Sequence, residues 1–254
     1  VIDLLAFDGT AASPQLAHAI AGATVLLVSI PPDRNGDPML LHCQDVIASS
    51  RRLKSIVYLS TVAVYGNHDG RWVDETTPPN PALPRAADRV EAERAWLALG
   101  EACGIPLAVV RIAGIYGPGM NALESVKAGR AQRIIKPGQV FNRVHVADLA
   151  QIIDKSVDLA LTRGAGGIFN AADDEPAAPG DPVLFAARLL GVEPPAEIAF
   201  EEARQTMTPL AASFYSESRR VRNDRIKSVL GVSLRYPTYR EGLRALAEGV
   251  CDQN

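Results

Sequence analysis

Two adjacent hydroxyls, Ser60 and Thr61, follow directly on the β-branched and aromatic run Ile56, Val57, Tyr58 and Leu59. The run suits a strand buried on both faces of a parallel sheet. Hydroxyls where such a strand gives way to a loop lie at the carboxyl edge, where open α/β sheets place their ligand chemistry. The same residue types also cap strand ends through local hydrogen bonds to the backbone, so the pattern leaves both roles open. Arg143 and His145 flank a second junction, where an extended segment runs into a helix that Asp148 can cap. Both side chains can reach a cleft from there; a buried, satisfied histidine is the alternative. The spacing nearest to G-x-G-x-x-G is Gly117-Pro118-Gly119-Met120-Asn121-Ala122. It stands several residues past its strand, with no acidic residue at the distance that would hold a ribose, so it is not read as a phosphate cradle.

The elements that must position these residues alternate. Ile2 to Phe7 reads as a strand closed by the Asp8-Gly9 turn, and Ser13-Pro14 then starts a short helix. Thr24 to Ile30 is a second strand, and a helix follows from Met39 to Arg52. After the Ile56 strand comes a long Pro-rich loop from Tyr65 to Pro84, then a helix from Arg85 to Cys103 with Val90, Ala95, Trp96 and Leu99 on one side. Leu107 to Ile112 is a further strand, Ala147 to Thr162 a helix, and Gly167 to Asn170 the last core strand. This order predicts an α/β fold, a Rossmann-like parallel sheet with helices on both faces, and a small mixed C-terminal lobe. The turn-rich stretch after Asp173 divides a main domain at 1–172 from a lobe at 173–254 that ends in a helix from Thr238 to Gly249.

Composition narrows the partners. Of 254 residues, 47% are hydrophobic and 22% charged, with a net charge of −3, so nothing in the balance favours nucleic acid or an anionic membrane. Arg219, Arg220, Arg222, Arg225 and Lys227 are interrupted by Asp224 and read as a solvated face. No apolar run is long enough to span a bilayer, and the start, VIDLLAFDG, has no basic region of the signal-peptide kind. Cys43, Cys103 and Cys251 are odd in number and scattered, which points to a reducing, cytoplasmic setting, and the four histidines have no metal-ligand spacing.

STVAVYG, WVDETTPPNP, VVRIAGIYGPG, NRVHVADLA and GIFNAADDEP, in that order, resemble the NAD-dependent epimerase/dehydratase family, the extended short-chain dehydrogenases. The C-terminal RNDRIKSVLGVSLRYPTYREGL is similar to the end of an atypical bacterial subgroup of that superfamily. The resemblance implies a domain binding NAD or NADP and a lobe for a small-molecule substrate, in better-known members a nucleotide sugar. It places Thr61 on the catalytic Ser/Thr that hydrogen-bonds the substrate oxygen. It places Asp8 and Gly9 near the adenine, Ser29, Ile30, Pro31 and Ser60 along the cofactor, and Ile112, Ala113, Gly114 and Ile115 near the nicotinamide. Tyr65 offers a phenol, although in the family that tyrosine mostly packs and shapes the loop.

Two departures from the family pattern stand out. The opening βαβ unit with its glycine-rich turn is not among these residues. Where the family has Y-x-x-x-K, with tyrosine as acid/base and lysine as its partner, this chain has Arg85-Ala86-Ala87-Asp88-Arg89. Arginines stay charged and do not shuttle protons as tyrosine does. One turn apart on a helix, they can clamp a phosphate or carboxylate bidentately, or serve as exposed partners of Asp88, Glu91 or Glu93. Two functions therefore stay open. One is an NAD(P)-dependent oxidoreductase or epimerase/dehydratase acting on a small polar, sugar-derived substrate. The other is a non-catalytic dinucleotide- or metabolite-binding sensor. Arg85, Arg89, Arg143 and His145 are the candidate substrate contacts, and a homodimer is the assembly to test.

Overall fold

The structure, a computed structural model, describes residues 2–249. In chain order the first elements are α1 (Pro14–Gly22), β1 (Val25–Val28), α2 (Pro38–Ser49), β2 (Ser55–Thr61), β3 (Trp72–Val73), α3 (Pro84–Cys103), β4 (Leu107–Ile112) and β5 (Gly114–Tyr116). There follow α4 (Ala122–Lys127), β6 (Arg133–Ile135), β7 (Arg143–His145), α5 (Val146–Arg163), β8 (Gly167–Ala171) and α6 (Asp181–Leu190). The last are β9 (Glu197–Ala199), α7 (Phe200–Ala203), α8 (Pro209–Ser213), β10 (Arg220–Val221), α9 (Asp224–Ser228) and α10 (Tyr239–Ala247). The chain divides into two compact units. The first takes residues up to Val64, Pro81–Arg111 and Ile153–Phe169; the second takes Tyr65–Asn80, Ile112–Ile152 and the described residues from Asn170 onward. Compact units thus interleave along the chain, whereas the division at 172/173 is a single cut.

The first unit is built on a sheet of order β1-β2-β4-β8, with β1 and β2 parallel in the register Val25↔Ser55 to Val28↔Tyr58. This is the α/β Rossmann-like arrangement that the alternating pattern predicts. Ser13 accepts from Leu16 N and caps α1 ahead of Pro14. Asp37, which the sequence reading passed over, accepts from Met39 N at 2.9 Å to cap α2, while its other oxygen takes the indole N–H of Trp96 at 3.1 Å. One buried carboxylate therefore ties the start of α2 to α3. Around it the core gathers Ile20, Val28, Cys43, Ile47, Ile56, Tyr58, Trp96 and Val109. On α3 the buried side is Val90, Ala92, Glu93, Trp96 and Leu99; Ala95, expected there, is exposed. Gly166 is required by a close approach, since a Cβ there would stand 2.1 Å from the Leu107 carbonyl oxygen.

Residues 2–7 form no strand. Among the described residues nothing pairs with them, and Ile2 and Leu4 are 88% and 92% exposed, so an apolar run with β propensity lacks the ladder that would make it a strand.

In the second unit, short parallel pairs join distant segments: β5 with β7, β6 with β9, and β3 with β10. The last pair corrects the loop expected from Tyr65 to Pro84. Trp72 and Val73 are strand residues because Arg220 and Val221 lie beside them, which no local pattern reveals. The same pairing alters the basic cluster. Arg219 donates to the Gly66 carbonyl at 2.5 Å and pairs with buried Glu217, and Arg220 donates to the Gly70 carbonyl, so neither merely faces solvent. A capping box between Thr238 and Glu241 opens α10. Cys43 and Cys103 are free thiols; Cys251 lies outside the described residues.

Candidate functional site

In the first unit the parallel register puts the carboxyl ends of β1 and β2 side by side, so Ser29–Pro31 and Ser60–Thr61 leave the sheet at one edge. Ser29 and Pro31 are exposed and Ile30 is half-buried. Thr61 is half-buried, and its Oγ1 accepts from Ala63 N at 3.2 Å. That is the capping role, yet it uses only a lone pair, and the hydroxyl proton remains available to a ligand. Asp8 is exposed and receives Thr10 N at 2.9 Å and Thr10 Oγ1 at 2.7 Å, hydrogen bonds that hold its carboxyl below the usual range. Gly9 beside it has φ +83°.

Ser60 faces the other way. It is buried, and its hydroxyl donates to Glu93 Oε1, whose carboxylate is held by Arg111 through Nη2 at 2.7 Å and Nε at 3.2 Å. Glu93 and Arg111 are each 2% exposed, so this is a dry, charge-assisted network inside the unit. One turn earlier on α3, Arg89 Nη1 donates to Tyr58 Oη and to the Leu59 carbonyl, both at 3.0 Å, and its guanidinium stands 5.5 Å from the Tyr58 ring centre. Burial raises the Tyr58 phenol, against the pull of that guanidinium. Arg85 is exposed. Arg89 is thus held onto β2 through Nη1. Glu91 pairs instead with Arg94, and Glu93 with Arg111.

In the second unit Tyr65 is fully buried, and its hydroxyl donates to Asn170 Oδ1 at 2.8 Å. Asn170 also gives its backbone N–H to Glu75 at 2.8 Å and its amide to the Arg222 carbonyl at 3.1 Å. Burial raises the Glu75 carboxyl. Ala113 N donates to the Ala171 carbonyl and Gly114 N to the Asn142 carbonyl, each at 3.0 Å, so the backbone of the Ile112–Ile115 segment is committed on one side. Gly114 and Ile115 are exposed. Gly117 and Met120 close on each other in a tight bridge, an ordinary turn before α4.

His145 is buried, with Tyr116 and Tyr236 ring centres at 5.1 and 4.1 Å, and its Nδ1 accepts from Ala147 N, which fixes the proton of the neutral ring on Nε2. Asp148, expected to cap α5, is buried and accepts from Arg235 N at 2.6 Å and Tyr236 N at 3.0 Å. Arg143 donates to the Phe141 carbonyl and lies 5.8 Å from the Tyr239 ring centre. Burial lowers Arg143 and pushes Asp173 up to about 8, although each opposes the other's shift.

The residues missed in the sequence are Glu93, Arg111, Asn170 and Asp173. Arg111 carried a legible signal: a charge within the strand run Leu107 to Ile112 demands a buried counter-charge. Asp173 carried none.

The model of the NAD dependent epimerase/dehydratase family matches residues 39–172, and the chain belongs to that family. Over 71 residues it is 31% identical to human dTDP-D-glucose 4,6-dehydratase, a stretch that makes up 28% of this chain and 20% of that protein. Among solved structures it is similar to a functionally unknown conserved protein from Silicibacter pomeroyi, at 46% identity and a TM-score of 0.83 over 97% of this chain and 82% of the other. It also matches the fold of dTDP-glucose 4,6-dehydratase from Bacillus anthracis in complex with NAD, at 19% identity and a TM-score of 0.71 over 95% of this chain and 76% of that one. Among the described residues no helix is long and apolar enough to cross a membrane.

Proposed function

We propose that this chain is a cytoplasmic NAD(P)-dependent oxidoreductase or epimerase/dehydratase acting on a small polar, sugar-derived substrate, with Thr61 orienting the substrate hydroxyl. The observation that carries the reading is the contrast at the end of β2. Ser60 is locked onto Glu93, while half-buried Thr61 keeps a hydroxyl proton to donate at the sheet's carboxyl edge. The residues present suit a dinucleotide along that edge: Ser29 is exposed beside it, and Asp8 is an ionised, exposed acceptor for hydroxyl groups. When bound, a nicotinamide supplies the hydride donor or acceptor.

The rest falls to the chain. Thr61 hydrogen-bonds the reacting oxygen and fixes its position, and the Ser60–Glu93–Arg111 network holds the backbone that carries Thr61. Arg85 and Arg89 remain charged and transfer no proton, so the proton leaves through water or a group outside that pair.

The rival, a ligand-binding sensor, is favoured by one observation: Arg85 stands where the family keeps its acid/base tyrosine, and Arg89, in the lysine place, is turned onto Tyr58 and Leu59. Calorimetric titration of NAD, NADH, NADP and NADPH comes first, followed by nicotinamide absorbance with a panel of sugar-derived alcohols. The enzyme reading expects saturable binding and turnover that Thr61→Val lowers by ~10²-fold while cofactor affinity stays nearly unchanged. Binding without turnover selects the sensor, and no binding of any of the four refutes both.

A further inference from the structure

The segment 172–177 fastens distant parts of the second unit together. The Ala172 carbonyl accepts from Asn223 Nδ2 at 2.9 Å, Asp173 N donates to the Arg143 carbonyl at 2.6 Å, Asp174 N donates to the Pro237 carbonyl at 2.7 Å, and Ala177 bridges to Phe141. Inside that fastening lies an acid without a cation. Asp173 is 3% exposed; its Oδ1 accepts from Glu175 N at 3.2 Å, while Oδ2 is buried with no hydrogen-bond partner. An ionised carboxylate in that place would be dry and only half satisfied, a cost the protonated acid avoids. Burial accordingly pushes Asp173 up to about 8.

The neighbouring ion pairs decide which cation is left for it. Asp174 already takes Lys227 at 2.5 Å, and Glu175 holds Arg240 through Nε at 3.0 Å and Nη2 at 2.9 Å. Arg143, on the strand β7 whose backbone meets Asp173, is half-buried and makes no ion pair among the described residues. Its Nη1 donates to the Phe141 carbonyl at 3.2 Å, and its guanidinium stands 5.8 Å from the Tyr239 ring centre. That carbonyl also accepts from Ala177 N at 3.0 Å, so Arg143 can leave it without stranding an acceptor. The other groups facing the pair are committed. Asp181 of α6 takes Ala178 N at 3.2 Å, and Asp148 of α5 takes two backbone N–H groups. Burial raises the phenols of Tyr116 on β5 and Tyr239 on α10, the latter up to about 12, so both stay uncharged near neutral pH. The imidazole of His145, 5.1 Å from the Tyr116 ring, is the other group there that can change charge, and the test separates it from Asp173.

We propose that Asp173 and Arg143 form a proton-operated latch: while Asp173 keeps its proton the Arg143 guanidinium rests on the Phe141 carbonyl and the Tyr239 ring, and when that proton passes to water the guanidinium turns onto the Asp173 carboxylate. No other bond forms or breaks. Arg143 is thereby offered to a ligand in one state and withdrawn in the other, and the latch works whether or not Thr61 turns a substrate over.

The test is a titration of the full chain from about pH 5.5 to about pH 9.5, reading the Asp173 side-chain carboxyl carbon and the Arg143 Nε–H signal by nuclear magnetic resonance. The carboxyl carbon is expected to move in one step with its midpoint above about pH 6.5, and the Arg143 signal to move with the same midpoint. Asp173→Asn should hold the Arg143 signal at its low-pH position throughout, and Arg143→Met, which removes the favourable charge, should raise the Asp173 midpoint by ~1 unit. The indoles of Trp72 and Trp96, one in each unit, report folding of every variant. If Arg143→Met fails to fold, Arg143→Lys decides: it keeps the charge and should keep the Asp173 midpoint close to that of the wild type. A carboxyl already ionised at the acid end, an Arg143 signal that does not move with it, an Asp173 midpoint unmoved in folded Arg143→Met, or an Arg143 step that survives in Asp173→Asn and follows His145 would each overturn the proposal.

Discussion

Replacing Glu93 by leucine tests the buried network most directly. Glu93 and Arg111 are each 2% exposed and meet at 2.7 Å, with Ser60 as a third member. Removing one partner leaves the other charge buried and uncompensated, at a cost of ~3–5 kcal/mol. For a chain of this size each kcal/mol lowers the melting temperature by ~2–4 °C, so Glu93→Leu should lose ~6–20 °C. Adding Arg111→Met removes the stranded charge and should recover most of that loss, because apolar pairs of similar volume replace buried ion pairs at little cost. The double variant still strands the Ser60 hydroxyl, a penalty of ~1 kcal/mol that Ser60→Ala should relieve. Urea unfolding read through Trp96, stacked on Tyr58 at 5.8 Å in the same unit, supplies the free energies. The reasoning fails if the two single substitutions add to within ~0.5 kcal/mol, the signature of sites that do not interact.

Asp173 gives a pH test. Its folded pKa, about 8, lies above the ordinary 3.8, so between those values the folded state holds a proton that the unfolded chain has released. Stability from this group therefore falls as pH rises across that window, by up to ~1.4 kcal/mol per unit. Glu75, also raised, acts with the same sign, so the measure is wild type against Asp173→Asn in urea midpoints from about pH 5 to about pH 7.5; parallel profiles would remove the buried carboxyl from the argument. Gly166→Ala drives a Cβ to 2.1 Å from the Leu107 carbonyl and should destabilise by ~2–4 kcal/mol, an effect that calorimetric melting detects and that a change under ~0.5 kcal/mol would contradict. Tyr65→Phe leaves Asn170 Oδ1 without its 2.8 Å donor and should cost ~1–2 kcal/mol in the same urea assay without altering cofactor affinity.

The sheet was legible because its strands, Val25–Val28, Ser55–Thr61 and Leu107–Ile112, are runs dominated by β-branched and other apolar residues and separated by helix caps, a purely local signal. Residues 2–7 show the limit of that signal. They have the composition of a strand, yet strand identity depends on a neighbour. The β3–β10 pair shows the converse: two residues of each segment become strand only through partners some hundred and fifty positions away. Within the candidate site, the edge position of Ser60 and Thr61 followed from strand end and residue type, but their opposite orientations did not. Side chains alternate along a strand, and which of the two faces Glu93 depends on where α3 packs. Asp173 was invisible for a related reason, since an acidic residue in a turn-rich stretch is ordinarily solvated, and only the folded second unit buries it.

Arg89 and Glu93 explain how a helix without the family's Tyr/Lys pair still serves the strand that carries Thr61. Four residues along a helix rise ~6.0 Å, and two residues along a strand advance ~6.6 Å. Arg89 and Glu93 therefore match the spacing from Tyr58 to Ser60, and the hydrogen bonds follow that match: Arg89 to Tyr58 Oη and the Leu59 carbonyl, Glu93 to Ser60 Oγ. Slipping the helix by one residue would break both contacts at once, so α3 fixes β2 in register rather than merely packing on it. Arg89 serves the phenol and the carbonyl through the same nitrogen, Nη1, while its guanidinium lies 5.5 Å from the centre of the Tyr58 ring. That turn of α3 thereby holds the end of β2 in place, where the Thr61 hydroxyl lies half-buried at the sheet edge.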